Sequence, residues 1–133
     1  MILDASVVLA LVFKEPSARW VLSELSARSG EFMRMSWVNI AEAGMVVARV
    51  KPGAADALQA TLARVGIEPL TLESAVVGLA IEARSRFPIH FGDCFAYAHA
   101  RLLGEPLITL DKGFLKTDLP HLIHPSRPSA SRA

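Results

Sequence analysis

An α/β domain with a mainly parallel sheet, covered by helices on both faces, is the fold class that this sequence predicts from three observations. Short apolar runs alternate with amphipathic stretches of helical period, the pattern of right-handed crossovers between parallel strands. Hydrophobic residues make up 52% and charged residues 20% of 133, which suits one domain with a real core and argues against disorder. Acids stand at the ends of buried runs: Asp4 ends the first, and Asp111 closes Leu107-Ile108-Thr109-Leu110. In parallel sheets ligands bind outside the carboxyl ends of the strands, where strand order reverses.

Met1-Ile2-Leu3-Asp4 reads as a short buried strand, and Ser6 to Phe13 as a helix stopped before Pro16. Ser17 can cap a second helix with Trp20, Val21 and Leu25 as its apolar stripe, ended by Ser29-Gly30. Phe32 to Met35 is a weaker strand, followed by a helix from about Val38 to Val50 that Pro52-Gly53 terminates. Glu42 is the only acid in that helix. Its apolar neighbours Val38, Ala41, Met45 and Val46 set it on the interior face, at the edge of that face, or in solvent.

Ala54 to Val65 is an amphipathic surface helix with Leu58, Leu62 and Val65 inward, stopped by Gly66. Ile67 to Leu72 is a third strand, and Pro69 within it predicts a sheet edge. Ser74 to Arg86 is a helix with Val77, Leu79, Ala80 and Ile81 toward the core. After Pro88, Asp93 opens a helix that runs to Leu103 and ends at Gly104, with Pro106 preventing continuation. Leu107 to Leu110 is the next buried strand, Asp111-Lys112-Gly113 turns away from it, and Leu122-Ile123 adds a last short strand. Residues 1–124 thus form one domain, and the Ser-, Pro- and Arg-rich tail 125–133 has too little apolar surface to pack.

The net charge of +1 supplies no global basic field, so a nucleic-acid contact has to use local Lys and Arg. The single cysteine, Cys94, excludes an intramolecular disulfide framework and fits a reducing compartment, with cytoplasm the expected location. The first apolar run has no basic leader and ends at Lys14-Glu15, short of the roughly 20 residues of a membrane span, so neither a signal peptide nor a membrane helix is expected.

Asp93 at a helix start reads alone as an N-cap. Asp4, Glu42 and Asp111 add a second reading, a carboxylate site at one end of the sheet. Like charges 4 Å apart repel by about 4 kcal/mol at an effective dielectric near 20, so clustered carboxylates need protons or cations. A hard divalent ion held by carboxylates and water fits, Mg²⁺ foremost and Mn²⁺ as a substitute. Zinc is disfavoured, because His90, His99, His121 and His124 show no ligand spacing. Such an ion activates water and supports in-line displacement at a phosphodiester. Ser6 has no partnered His in its sequence context, and there is no Gly-rich phosphate loop or nucleophile elbow. Cys94 beside Asp93 reads as packing.

The stretches Met1-Ile2-Leu3-Asp4-Ala5-Ser6, Asn39-Ile40-Ala41-Glu42, Phe91-Gly92-Asp93-Cys94-Phe95-Ala96-Tyr97-Ala98, and Leu107-Ile108-Thr109-Leu110-Asp111 with Phe114 and Thr117-Asp118 together resemble a PIN-domain ribonuclease, more narrowly a VapC toxin of a type II toxin–antitoxin pair. The likeness covers nearly the whole chain apart from the tail. It implies a three-layer αβα domain that cuts RNA with Mg²⁺ or Mn²⁺, is inhibited by a VapB-like antitoxin and forms a homodimer. By motif, the catalytic and metal-binding acids are Asp4, Glu42, Asp93 and Asp111, with Ser6 and Thr109 orienting the metal or its waters. The segment 84–90 is shorter than in close relatives, and His99 stands where a small or apolar residue is expected.

Asp118 is either a fifth acid at the site margin, the favoured reading, or a cap before Pro120. Lys14, Arg86, Lys112 and Lys116 are candidate phosphate contacts or solvated surface. Val8, Leu11, Val12, Trp20, Val21 and Leu25 on the early helices are expected to provide part of an antitoxin groove as well as core. The alternative from another class is a PIN-like interaction module that binds without cutting. A phospho-acceptor receiver domain fits poorly, because the third strand ends at Leu72-Glu73 rather than at an Asp.

Overall fold

The computed structural model describes residues 1–127. In chain order it contains β1 (Ile2–Leu3), α1 (Ala5–Val12), α2 (Ala18–Ala27), β2 (Met33–Ser36), α3 (Trp37–Val50), α4 (Ala55–Val65), β3 (Ile67–Leu70), α5 (Ser74–Arg86), α6 (Phe91–Leu103), β4 (Leu107–Ile108), a 3-10 helix (Lys112–Lys116) and β5 (Leu122–Ile123). The five strands form one sheet in the order β3-β2-β1-β4-β5, with every pairing parallel.

The strands sort their side chains by alternation. Ile2, Leu107 and Leu122 point into a core with Val76, Ala80, Ala83, Tyr97 and Phe114, under α5 and α6. Leu3, Ile108 and Ile123 point the other way, into a core with Val8, Val21, Ala43, Val47 and Leu58 from α1 to α4. Three layers result, helices on each face of the sheet. Pro69 does lie on an edge strand, the position in a sheet that tolerates a residue without an N–H.

The chain leaves β1 for β2 on one side and returns later to β4 on the other, so strand order reverses between β1 and β4. Asp4 and Thr109 follow these two strands directly. The crevice at their carboxyl ends is where the topology itself predicts a site. At the opposite end of the sheet the Met1 α-amino group donates to the Phe32 carbonyl and to Glu105, each at 2.7 Å, and Arg34 joins Glu105 at 3.0 Å.

Some expectations are corrected. On α5 the buried residues are Val76, Ala80 and Ala83, while Val77 and Ile81 are exposed. Ala80 and, in part, Leu79 do pack inward, but the inner face runs through positions 76, 80 and 83 at helical spacing, which leaves Val77 and Ile81 one residue round from it. On α3, Met45 and Ala41 are exposed, because Asn39, Ala43 and Val47 take the inner face. After β5 a turn follows in which the Arg127 N–H donates to the His124 carbonyl at 2.9 Å, with residues 125–127 exposed. Residues 128–133 of the expected tail lie outside the described residues. No helix among the described residues is long and apolar enough to cross a membrane.

Candidate active site

Asp4 caps α1 from its place at the end of β1, accepting a hydrogen bond from the Val7 N–H. Both its oxygens are also braced by hydroxyls: Ser6 Oγ donates to Oδ1 and Thr109 Oγ1 to Oδ2, each at 2.6 Å. The hydroxyls are fixed in turn, Ser6 Oγ accepting from the Leu110 N–H at 3.0 Å and Thr109 Oγ1 from the Asp111 N–H at 2.9 Å. Asp4 is therefore locked between β1 and β4. Burial nonetheless pushes its carboxyl up to about 6, outweighing the three hydrogen bonds that favour the anion.

Asp93 is the third residue of α6, which begins at Phe91 with His90 as its cap. It does not open the helix. Its Oδ2 accepts from the His90 N–H at 3.4 Å, so it caps backward from within the first turn. Its carboxyl is pushed up to about 8, first by burial, then by the Asp111 carboxylate beside it, and further by the Asp4 charge. Asp111 caps the 3-10 helix, accepting from the Gly113 N–H at 2.8 Å. The structure thus brings Asp4, Asp93 and Asp111 within one electrostatic neighbourhood.

Glu42 approaches from α3 and is half-buried at the rim of this cluster. Asn39, one turn earlier, donates through Nδ2 to Glu42 Oε1 at 3.3 Å and to the Gly92 carbonyl at 2.9 Å. Asn39 was not singled out from sequence, although its spacing of three residues before a helical acid places it on the same face. His124 was also missed: it is buried after β5, its Nδ1 accepts from the Ser126 N–H at 3.0 Å, and burial lowers its pKa, outweighing the Leu110 backbone and the Asp111 charge, which both raise it. No local motif marks it. The strand pairing of β4 with β5 brings it there.

The remaining candidates are placed elsewhere or otherwise engaged. Asp118 does not join the acids: it accepts from Tyr97 Oη at 2.6 Å and from Arg86 at 3.1 Å, and these partners hold its carboxyl below the usual range. Burial and Asp118 push the Tyr97 hydroxyl up to about 12. Arg86 is spent on the same pair and on Glu82, with its guanidinium over the Phe87 ring. Lys14 sits beyond the carboxyl end of α1, the end away from Asp4, and lines a groove with Leu11, Leu25 and Arg64. Lys112 and Lys116, exposed on the 3-10 helix that Asp111 caps, keep a place beside the crevice.

His99 is packed in the core, with Nδ1 3.1 Å from the Phe95 carbonyl and Nε2 3.3 Å from that of Thr71. Cys94 is buried, its thiol donating to the His90 carbonyl at 3.3 Å and pushed up by burial. Neither faces outward as a reactive group.

The donor set is one of oxygens, and its carboxyls are strained toward protonation by burial and by one another, which a divalent cation would reverse. A buried acceptor, Asn39 Oδ1, stands beside them without a hydrogen-bond partner among the described residues. These features fit a hard cation. Among the described residues no three His, Cys, Asp or Glu side chains stand close enough to form a closed ligand set. An ion here would keep water between itself and some carboxylates, the coordination that Mg²⁺ prefers.

Comparison with known proteins agrees with this geometry. The PIN domain family model matches residues 1–119. Ribonuclease VapC36 of Mycobacterium tuberculosis is 33% identical over 128 residues, covering 90% of this chain and 91% of that one. The structure of VapC20 from the same species, described as a Sarcin-Ricin loop cleaving toxin, superposes with a TM-score of 0.71 at 17% identity, covering 89% of this chain and 95% of that one. A toxin–antitoxin complex from Klebsiella pneumoniae gives the same TM-score of 0.71 at 16% identity, covering 92% and 94%. With the acids gathered at the β1–β4 crevice and the match running through nearly every element that carries them, the chain belongs to the PIN-domain family, among its VapC ribonucleases.

Proposed function

We propose that this protein is the toxin of a type II toxin–antitoxin pair, an endoribonuclease that hydrolyses RNA phosphodiester bonds with Mg²⁺, or Mn²⁺ in its place, at Asp4, Glu42, Asp93 and Asp111. The observation that carries the reading is the placing of Asp4, Asp93 and Asp111 at the crevice where strand order reverses, with two of the three carboxyls pushed well above their ordinary value. A bound divalent ion supplies there the activation of water and the shielding of negative charge that a phosphodiester needs. The chain's own contribution is to hold the carboxylates. Ser6 and Thr109 fix both oxygens of Asp4, Asn39 directs Glu42, and the Gly113 N–H orients Asp111. Of the four candidate phosphate contacts, Lys112 and Lys116 are the two free to meet the RNA backbone from the 3-10 helix that Asp111 caps.

The partner reading follows from surface shape. Of the residues expected in an antitoxin groove, Val8 and Val21 are fully buried, and Val12 and Trp20 are half-buried. Leu11 and Leu25 do line a groove of about 590 Å³, together with Leu22, Met33 and Val65. This apolar channel suits the face of an antitoxin helix. A homodimer is supported by a separate surface, where Met45, Ile81 and Phe91 stand 72%, 68% and 72% exposed on α3, α5 and α6.

The test is cleavage of single-stranded RNA by the purified chain freed of antitoxin, with Mg²⁺ and with EDTA. Metal-dependent cutting is expected. Binding of RNA or antitoxin with no cutting under any divalent ion would leave an interaction module instead.

A further inference from the structure

We propose that Asn39 is the positioning residue of the acid site: its side-chain amide sets where the Glu42 carboxylate stands relative to Asp93, and a divalent cation is held more weakly without it. The proposal rests on the metal-dependent reading above. Asn39 is fully buried on the inner face of α3. Its two amide hydrogens go to two different elements, one to Glu42 Oε1 on its own helix and one to the Gly92 carbonyl at the start of α6. Gly92 directly precedes Asp93. One side chain therefore ties together the segments that carry two of the four acids.

The orientation of this amide is fixed by its surroundings. Turning it over would set Oδ1 against a carboxylate oxygen and a carbonyl oxygen, so Nδ2 must face them. Oδ1 receives no hydrogen bond among the described residues, and burying it unpaired opposes folding. An apolar residue of similar volume would escape that cost, so packing alone does not account for an asparagine here. Glu42 has no other hydrogen-bond donor among the described residues, and on its far side it meets the bare backbone of Gly92. Released from Asn39, the carboxylate regains rotamer freedom that an incoming cation must then remove.

The experiment is a double-mutant cycle read by calorimetric titration of Mn²⁺ into the full chain, with metal-free thermal unfolding as the control for folding. Asn39→Ala is expected to weaken Mn²⁺ binding by about tenfold, the usual scale for removing a group that orients a ligand. In the Glu42→Gln background the same change is expected to cost less than about twofold, because Asn39 acts through Glu42. Unchanged Mn²⁺ affinity in folded Asn39→Ala, or the same loss in both backgrounds, would overturn the proposal. A wild type with no Mn²⁺ affinity would overturn the metal reading beneath it, a separate outcome. A second measurement needs no variant: the Asn39 side-chain amide resonances of the wild type should shift on adding Mg²⁺ with the midpoint seen for the Asp93 backbone amide. Resonances that stay still while the Asp93 amide moves would refute the role.

Discussion

A methyl group on Gly92 would lie 2.6 Å from each carboxylate oxygen of Glu42, closer than any real contact allows. The glycine is there to let the acid of α3 rest on the first turn of α6, since this residue has ordinary helical backbone and no turn demands it. Gly92→Ala should therefore separate stability from activity. Helix propensity alone favours alanine by up to about 1 kcal/mol, so the melting temperature should hold or rise. Displacing Glu42 should lower RNA cleavage about tenfold or more, as judged by initial rates at saturating Mg²⁺.

The raised carboxyls give the metal-free protein a defined response to pH. Below 3.8 the folded and unfolded chains both carry the Asp93 proton, and no stability difference arises. As pH rises, the unfolded chain releases that proton while the folded chain keeps it up to about 8, so the folded state loses stability through this window. Asp4 contributes in the same sense up to about 6. Scanning calorimetry without metal should show a melting temperature that falls between pH 6 and 8, and Asp93→Asn should flatten this part of the profile. Cation binding needs the ionised acids, so the stabilisation by Mg²⁺ should grow over the same interval.

Tyr97 and Asp118 make a prediction of the opposite kind. Their 2.6 Å hydrogen bond, with Arg86 on the same carboxylate, fastens the loop after the 3-10 helix to α6 and the end of α5. Tyr97→Phe should lower stability by about 1 kcal/mol in denaturant unfolding, the net worth of such a bond at a partly exposed site. Cleavage should stay within about threefold of wild type, because neither group belongs to the acid cluster. A loss as large as that of a site acid would restore Asp118 to the active site.

Most of the fold could be read from local sequence. Gly66 and Gly104, both in the left-handed region, end α4 and α6 where glycine after an amphipathic run says a helix stops. Pro69 marked an edge strand for the same local reason. Asp4 and Asp111 were visible because a buried strand rarely runs into an acid without a use for it. Tertiary contacts were not visible in this way. Asp118 and Arg86 look like free charges in the sequence, and only the packing of α5 and α6 against the 3-10 helix pairs them. Lys14 was misplaced because an eight-residue helix carries it about 12 Å from Asp4, at 1.5 Å per residue. Asn39 reads as one more polar residue until the Gly92 carbonyl is seen beneath it.

The central claim is that the buried carboxylates exist to hold a divalent ion over RNA, and Asp93→Asn tests it most directly. The change keeps the size of the side chain and an oxygen able to accept from the His90 N–H, while removing one charge from the cluster that Asp4 and Asp111 share. Measured on antitoxin-free protein with a fluorescent RNA, cleavage in Mg²⁺ should fall at least about a hundredfold. The metal-free melting temperature should hold or rise, since the folded state no longer carries a carboxyl whose ionisation burial and its acidic neighbours oppose. Asp56→Asn, on the exposed first turn of α4, should cleave like the wild type. Full metal-dependent cleavage by Asp93→Asn, with contaminating nuclease excluded, would contradict the account.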